Sequence, residues 1–262
     1  MRQFLLLRSE EDFTKNNSAA VAIRECTTIE ELTSCVDLQR RVFALPEIEI
    51  SPVRHFVVTK NAGGFALGAF ADEELVGFVL SVPAFLRGKK AFYSHMTAVR
   101  KDFQSVGVGA RLKWAQRERS LSEGVKFVKW TFEPGKARNA YFNLEKLGAT
   151  VHEYRRNFYG TDYSAAGATE KTGLESDRLF AEWHLESNRV KALASGSAFE
   201  GTEVPVAAIR TPMDWNALVD TDLNEAISEI HRLRAEFEPA FADGLICRGF
   251  DRHEDSYLLF RS

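Results

Sequence analysis

Two glycines separated by one residue, Gly107 and Gly109, lie between a predicted strand and a predicted helix in FQSVGVGARLKWAQ, residues 103–116. A helix start after a glycine turn directs unpaired N–H groups and the positive end of the helix dipole at one point. Phosphate is the usual anion there, and glycines let a pyrophosphate approach the backbone. Leu112 replaces the third glycine of a dinucleotide fingerprint, and the GK[ST] of a P-loop is absent. The pattern indicates either another kind of anion site or a simple turn.

The elements around these glycines must bring a strand end and a helix start together. AFYSHMTAVR, residues 91–100, is an apolar run typical of a strand, and an amphipathic helix is predicted from Val108 to Glu123, ending at Gly124. VKFVKWTF, residues 125–132, predicts the next strand, which should run parallel to the first because a helix separates them. A helix from about Arg138 to Leu147 and one more strand follow.

The N-terminal part of the chain supplies further strands and a capped helix. AVAIREC predicts a strand, Thr28 predicts a helix N-terminus, and Glu31 completes a capping box. GGFALGAF and ELVGFVLSV predict an antiparallel hairpin with its turn at residues 71–73. We therefore predict an α/β (α+β) fold, a mixed and mostly antiparallel sheet with helices on both faces.

The C-terminal third differs in composition and is predicted to be a separate region. Residues 161–177 are small and polar, which is typical of a linker. Two strands, one long helix and a closing hairpin are predicted beyond it. We therefore predict a first domain at 1–160, a linker at 161–177 and a small α+β appendage at 178–262.

Composition narrows the classes of function. The formal charge is −3 and the basic residues occur as scattered pairs, so no nucleic-acid partner is expected. The three cysteines form no CxxC pair, which favours a reducing compartment and predicts no metal site. No apolar run approaches the length of about eighteen residues that a bilayer requires, so no membrane partner is expected. The sequence predicts a cytoplasmic protein.

With its flanking elements, the glycine stretch resembles the GNAT superfamily of acyl-CoA-dependent N-acyltransferases. MTAVRKDFQSVGVGARL fills the family's Q/R-x-x-G-x-G/A pattern at Gln104, Gly107 and Gly109, and NAYFNLEKLGA follows at 139–149. The resemblance spans residues 21–159. It implies a GNAT-like fold, acetyl-CoA or another acyl-CoA such as succinyl-CoA as donor, no metal, and a small-molecule amine such as an amino acid as acceptor; a homodimer is compatible with it.

The resemblance also implies which residues hold the coenzyme. The strand ending at Phe132 should splay from the preceding strand and leave a slot for the pantetheine arm. Asn143 could equally be a solvent-facing residue of its helix. The implied residues are Gln104, Ser105, Val106, Gly107, Val108, Gly109 and Ala110 for the pyrophosphate, and Thr97, Ala98, Val99 and Asn139 or Asn143 for the arm.

Acyl transfer from a thioester to an amine needs a neutral amine and a donor for the developing oxyanion. The resemblance implies a backbone N–H near Ala98 and Val99 as that donor. His95 is the first candidate for the base, because a neutral imidazole accepts a proton near pH 7; a packed histidine is the alternative. Glu133 is the second candidate, with a solvated loop carboxylate as its alternative.

The leaving thiolate also needs a proton, and here the chain departs from the family. Many members carry a tyrosine where this sequence has Leu144. Tyr141 lies one helical turn earlier and is the candidate acid; a core tyrosine, with water protonating the thiolate, is the alternative. Leu144 also favours a competing hypothesis, a catalytically degenerate acyl-CoA-binding or sensing module.

Overall fold

A computed structural model describes residues 21–43, 45–162, 173–199 and 201–261. The chain divides into two compact units: unit 1 comprises Met1–Pro83 and Ser94–Ser122, and unit 2 comprises Ala84–Tyr93 and Glu123–Ser262. Residues 1–20 and most of the predicted linker at 161–177 lie outside the described residues. Within those residues, no helix is long and apolar enough to cross a membrane.

The described residues of unit 1 contain the first strands and three α-helices. Its strand order is β1–β2–β3–β4, with β1 and β2 antiparallel and β2 and β3 antiparallel. The predicted hairpin is confirmed, and its turn residues Asp72 and Glu73 both have positive φ, which suits a two-residue hairpin turn. The elements are β1 Ala22–Glu25, α1 Ile29–Phe43, α2 Val53–Asn61, β2 Phe65–Ala71, β3 Glu74–Leu86, β4 Lys89–Val99 and α3 Val108–Ser122, where the C-terminal end of β3 and the N-terminal half of β4 belong to unit 2.

The predicted capping box begins α1. The Glu31 N–H donates to Thr28 Oγ1 and the Thr28 N–H donates to Glu31 Oε2, both at 3.2 Å. Two N–H groups that have no partner within the helix are thus satisfied by side chains.

Helices pack on both faces of the strands in unit 1, as predicted. Phe78 and Leu80 of β3 belong to the apolar cluster that also contains residues of α1 and α2. Gly77 faces the other way, because a β-carbon there would lie 3.1 Å from Leu112 of α3. Alternate residues of a strand point to opposite faces of its sheet, so β3 lies between α1 and α2 on one side and α3 on the other.

A buried polar group ties α3 to β3 and β4. Lys113 is 3% exposed and donates to Gln116 Oε1 at 2.7 Å and to Ser94 Oγ at 3.1 Å. Gln116 Nε2 in turn donates to Ser81 Oγ at 2.7 Å. Burial penalises the ammonium form and lowers the pKa of Lys113 to about 7.

Lys113→Met is expected to stabilise unit 1 at pH 7, with a gain that shrinks as the pH rises. The unfolded chain retains the lysine proton to higher pH than the folded chain, so wild-type stability rises from about pH 7 towards pH 10 by about 1.4 kcal/mol per pH unit. The variant lacks this slope. Chemical denaturation at pH 7, 8, 9 and 10 measures it, and a constant difference between the two proteins contradicts it.

Unit 2 has the strand order β4–β5–β7–β6–β9–β10–β8. The predicted parallel pairing of β4 and β5 is confirmed at Phe92–Val128 and Tyr93–Lys129, and the other recorded pairs are antiparallel. A π-helical turn, Phe142–Lys146, extends α4. The elements are β5 Phe127–Phe132, α4 Ala137–Tyr141, β6 Thr150–Arg155, β7 Arg178–His184, α5 Asn188–Ala194, β8 Ala207–Arg210, α6 Trp215–Thr221, α7 Leu223–Ala242, β9 Leu245–Asp251 and β10 Ser256–Arg261.

The position of β7 bears on the predicted division of the chain. This strand begins at Arg178, the first residue of the predicted appendage, and pairs with β5 on one side and β6 on the other. Trp183 of β7 is fully buried and donates from Nε1 to Leu147 O at 2.7 Å. The contacts therefore group the predicted appendage with the last elements of the predicted first domain.

Candidate active site

The segment between β4 and α3 is fastened at its start by two hydrogen bonds. The Arg100 N–H donates to Val76 O at 2.8 Å, and the side chain of Gln104 donates from Nε2 to Val99 O at 2.8 Å. A 3-10 turn, Lys101–Phe103, lies between these two points. Gln104 therefore holds the glycine loop against the end of β4, which the sequence pattern alone does not reveal.

The first turn of α3 presents backbone donors. The Arg111 N–H donates to Gly107 O at 3.0 Å and closes the turn, so the N–H groups of Val108, Gly109 and Ala110 precede the first i→i−4 bond of the helix. Ser105 and Gly107 have positive φ, +66° and +92°. Glycine adopts this conformation without strain, and here it bends the chain into the helix.

Gly109 is the residue that points most directly to a ligand. It lacks a positive φ, and a β-carbon at this position would meet only Val99 Cγ2 at 3.8 Å, an ordinary contact. Alanine would fit among its neighbours and would favour the helix by about 0.5–1 kcal/mol. Internal packing does not explain the glycine, and the lack of a β-carbon leaves room for an anion at the helix start. The residues Gln104 to Ala110 thus fit a pyrophosphate.

Arg100, a cation near the loop, is paired with two carboxylates. The guanidinium of Arg100 binds Asp102 at 2.7 Å and Glu74 at 2.6 Å. These carboxylates raise the pKa of Arg100 and neutralise its charge, so the anion site proposed for this loop depends on backbone donors.

His95, the first candidate base, is fixed by a residue that the sequence analysis did not identify. Its Nε2 lies 3.3 Å from Ser51 Oγ. Ser51 is clamped by the buried side chain of Gln39, which accepts from the Ser51 N–H and donates to the Ser51 carbonyl, both at 3.2 Å. Hydrogen bonds thereby link Gln39 to Ser51 and Ser51 to the imidazole of His95, which lie in three different segments of unit 1.

The environment of His95 keeps it neutral. Burial, followed by repulsion from the nearby His55, lowers the pKa of His95 to about 4. The imidazole therefore has a lone pair available at pH 7, as a base requires. His55 was also not identified from the sequence.

The end of β4 contains the residues expected to contact the pantetheine arm. Ala98 is fully buried and belongs to the cluster with α1 and α2 residues, while Thr97 and Val99 are partly exposed. The Val99 carbonyl already accepts from Gln104, so the arm-binding role predicted for Thr97, Ala98 and Val99 depends on their other backbone groups.

The two remaining catalytic candidates lie in unit 2. Glu133 forms an ion pair with Lys136 at 2.7 Å, so it is not simply a solvated loop carboxylate. Tyr141 is partly buried, and its ring lies under the guanidinium of Arg252 at 4.5 Å and near the ammonium of Lys146 at 5.4 Å. Leu144 is fully buried.

The two asparagine candidates differ in exposure. Asn143 is 5% exposed and its Oδ1 accepts from Trp130 Nε1 at 3.2 Å, so the solvent-facing alternative for Asn143 is wrong. Asn139 is exposed. Asn143 therefore has a packing role in unit 2, and Asn139 is the candidate of the two that a ligand can reach.

Comparisons with known proteins agree with this description. Residues 29–149 match the model of the acetyltransferase (GNAT) family. A protein described as a GNAT-family acetyltransferase from Desulfovibrio desulfuricans matches at 15% identity and a TM-score of 0.52, over 63% of this chain and 99% of that chain. An acetyltransferase from Acinetobacter baylyi ADP1 matches at 15% identity and 0.52, over 64% and 94%. An N-acetyltransferase from Staphylococcus aureus Mu50 matches at 12% identity and 0.50, over 63% and 99%.

No curated protein sequence matches the chain significantly. Structural likeness at such low identity shows the fold, and the family model matches residues 29–149. Residues 29–149 match a GNAT acetyltransferase domain, and the chain shares the fold of the solved acetyltransferase structures that it matches.

Proposed function

We propose that the chain is an N-acyltransferase that moves an acyl group, by default acetyl, from coenzyme A to a primary amine of a small molecule such as an amino acid. The observation that carries the proposal is the helix start at Gly107 and Gly109, whose backbone donors and vacant β-carbon position suit a pyrophosphate. The match of residues 29–149 to the GNAT family model supports the same reaction class.

The reaction follows from direct attack on the thioester. The amine nitrogen forms a bond to the acyl carbon, and the carbon–sulfur bond then breaks to release a thiolate. The amine loses a proton, for which the neutral imidazole of His95 is the proposed acceptor. A backbone N–H near Ala98 and Val99 is the proposed oxyanion donor.

The thiolate gains a proton from Tyr141 or from water. Glu133 remains the second candidate base, although its pairing with Lys136 makes it less available.

The coenzyme-binding set follows from the same reasoning. Gln104 to Ala110 contribute the pyrophosphate site, Thr97 to Val99 contribute backbone groups for the arm, and Asn139 contributes an exposed amide. A slot between β4 and β5 remains a prediction, as do the cytoplasmic location and a homodimer.

Incubation with acetyl-CoA and a panel of amines, with free thiol measured over time, tests the proposed activity. Release of thiol that depends on one class of amine supports it, and parallel arms with succinyl-CoA and longer acyl-CoAs identify the donor. Absence of turnover across the panel, with coenzyme still bound, favours the acyl-CoA-sensing module instead. The leucine at position 144, fully buried where many family members have a tyrosine, is the observation that favours that second function.

A further inference from the structure

A second imidazole lies beside His95 in unit 1. His55, in the first turn of α2, has its ring centroid 5.3 Å from that of His95, with the ring planes inclined at 59°. The Nε2 atom of His55 is buried and has no hydrogen-bond partner among the described residues. A buried polar atom without a partner is uncommon and costs stability, so packing alone does not account for this histidine.

The side chains that form the hydrogen bonds near the two rings are a hydroxyl and an amide. From the loop before α2, Ser51 contacts His95; from α1, Gln39 reaches Ser51; from α2, His55 faces His95. Within the described residues, neither imidazole forms an ion pair with a carboxylate, and repulsion from His55 adds to burial in lowering the pKa of His95. Without a nearby anion, two imidazolium ions at this separation would repel each other strongly.

We propose that His55 and His95 form a proton-accepting pair, in which the two imidazoles together hold one proton and not two. This inference rests on the proposed function, because an N-acyltransferase must remove a proton from its amine. That proton leaves the amine nitrogen and forms an N–H bond on one imidazole, with no further reactant. His95, bonded to Ser51, and His55, with its unpartnered Nε2, are the two alternative positions for it.

NMR titration of the histidine side chains in the full chain tests the pair without any need for turnover. In the wild type, the titration midpoint of His95 should lie near pH 4. In His55→Gln, the repulsion is lost and the midpoint of His95 should rise by about one pH unit or more. His253→Gln, which removes an exposed histidine of unit 2, should leave His95 unchanged.

If His55→Gln does not fold, titration of His55 and His95 in the wild type still tests the pair. Protonation of both His55 and His95 above pH 6 would overturn the pair, as would an unchanged His95 midpoint in a folded His55→Gln protein. If an acceptor amine is found, the acid limb of kcat/KM in His55→Gln should move to higher pH with His95. If the two histidines titrate as a coupled pair but no acyl transfer is found, the pair is supported and the proposed function is refuted. If acyl transfer is found but the two histidines titrate independently, the proposed function is supported and the pair is refuted.

Discussion

Gly109→Glu is expected to raise the dissociation constant for coenzyme A at least about 100-fold, because it loses charge-assisted hydrogen bonds worth about 1.5–3 kcal/mol each and adds repulsion. The new carboxylate would stand at the start of α3, where the helix dipole and the N–H groups of Val108, Gly109 and Ala110 favour an anion. It would occupy the position proposed for the pyrophosphate and repel it. Isothermal titration calorimetry with coenzyme A measures the effect.

Two control variants separate this effect from damage to the helix. Gly109→Ala adds a β-carbon that meets only Val99 at an ordinary distance, so it should keep or increase stability while weakening coenzyme binding less than glutamate does. Ser122→Glu adds the same charge at the opposite, exposed end of α3 and should leave binding unchanged. Gly109→Glu protein that binds coenzyme A as tightly as wild type would rule out the pyrophosphate site at this helix start.

His95→Gln is expected to lower kcat/KM for acyl transfer by at least about 100-fold, within the range for loss of a general base. Glutamine retains a hydrogen-bonding partner for Ser51 but has no lone pair basic enough to take the proton of an amine. The dissociation constant for coenzyme A should not change, since the proposed anion site lies in the loop after β4. Steady-state kinetics with the best amine of the panel, together with calorimetry, checks both parts.

The pH dependence adds a sharper test of His95. This residue must be neutral to act as a base, and its pKa of about 4 means that it loses activity only in strongly acidic solution. The fall in kcat/KM that comes from protonation of His95 should therefore be centred near pH 4, well below the usual pKa of histidine. A His95→Gln protein with wild-type kcat/KM would leave His95 as a packed strand residue, and a matched His253→Gln control guards against a general effect of histidine loss.

The parts of the fold that were predicted correctly depend on local signals. The capping box at Thr28, the turn at Asp72 and Glu73, and the glycine that ends α3 all act within a few residues. The helix start at Val108 was also predicted from neighbouring residues, because glycine spacing and helix starts are local signals. The pyrophosphate site at this loop stays a prediction.

The contacts of His95 could not be predicted from local sequence signals. Its contacts come from Ser51 and His55, and Ser51 depends in turn on Gln39, and each of these contacts joins segments far apart in the sequence or across a loop. Hydrophobic periodicity places such residues on helices and loops without saying which of them meet. The same limit applies to Asn143, whose burial depends on a contact with Trp130 of β5.

The insertion of β7 between β5 and β6 illustrates the limit at the level of topology. The sequence predicts a strand at this position, yet pairing partners depend on contacts across long separations. A polar segment before the strand suggests a boundary, whereas the strand itself packs with the elements upstream of that segment. Composition indicates which segments are loops, but it does not predict which strands a later strand pairs with.

A crystal structure of the full chain with coenzyme A bound tests the central claim most directly. The pyrophosphate oxygens should lie within hydrogen-bonding distance of backbone N–H groups between Gln104 and Ala110, at the start of α3. A pyrophosphate bound anywhere else on the chain, with this helix start free of it, would contradict the account.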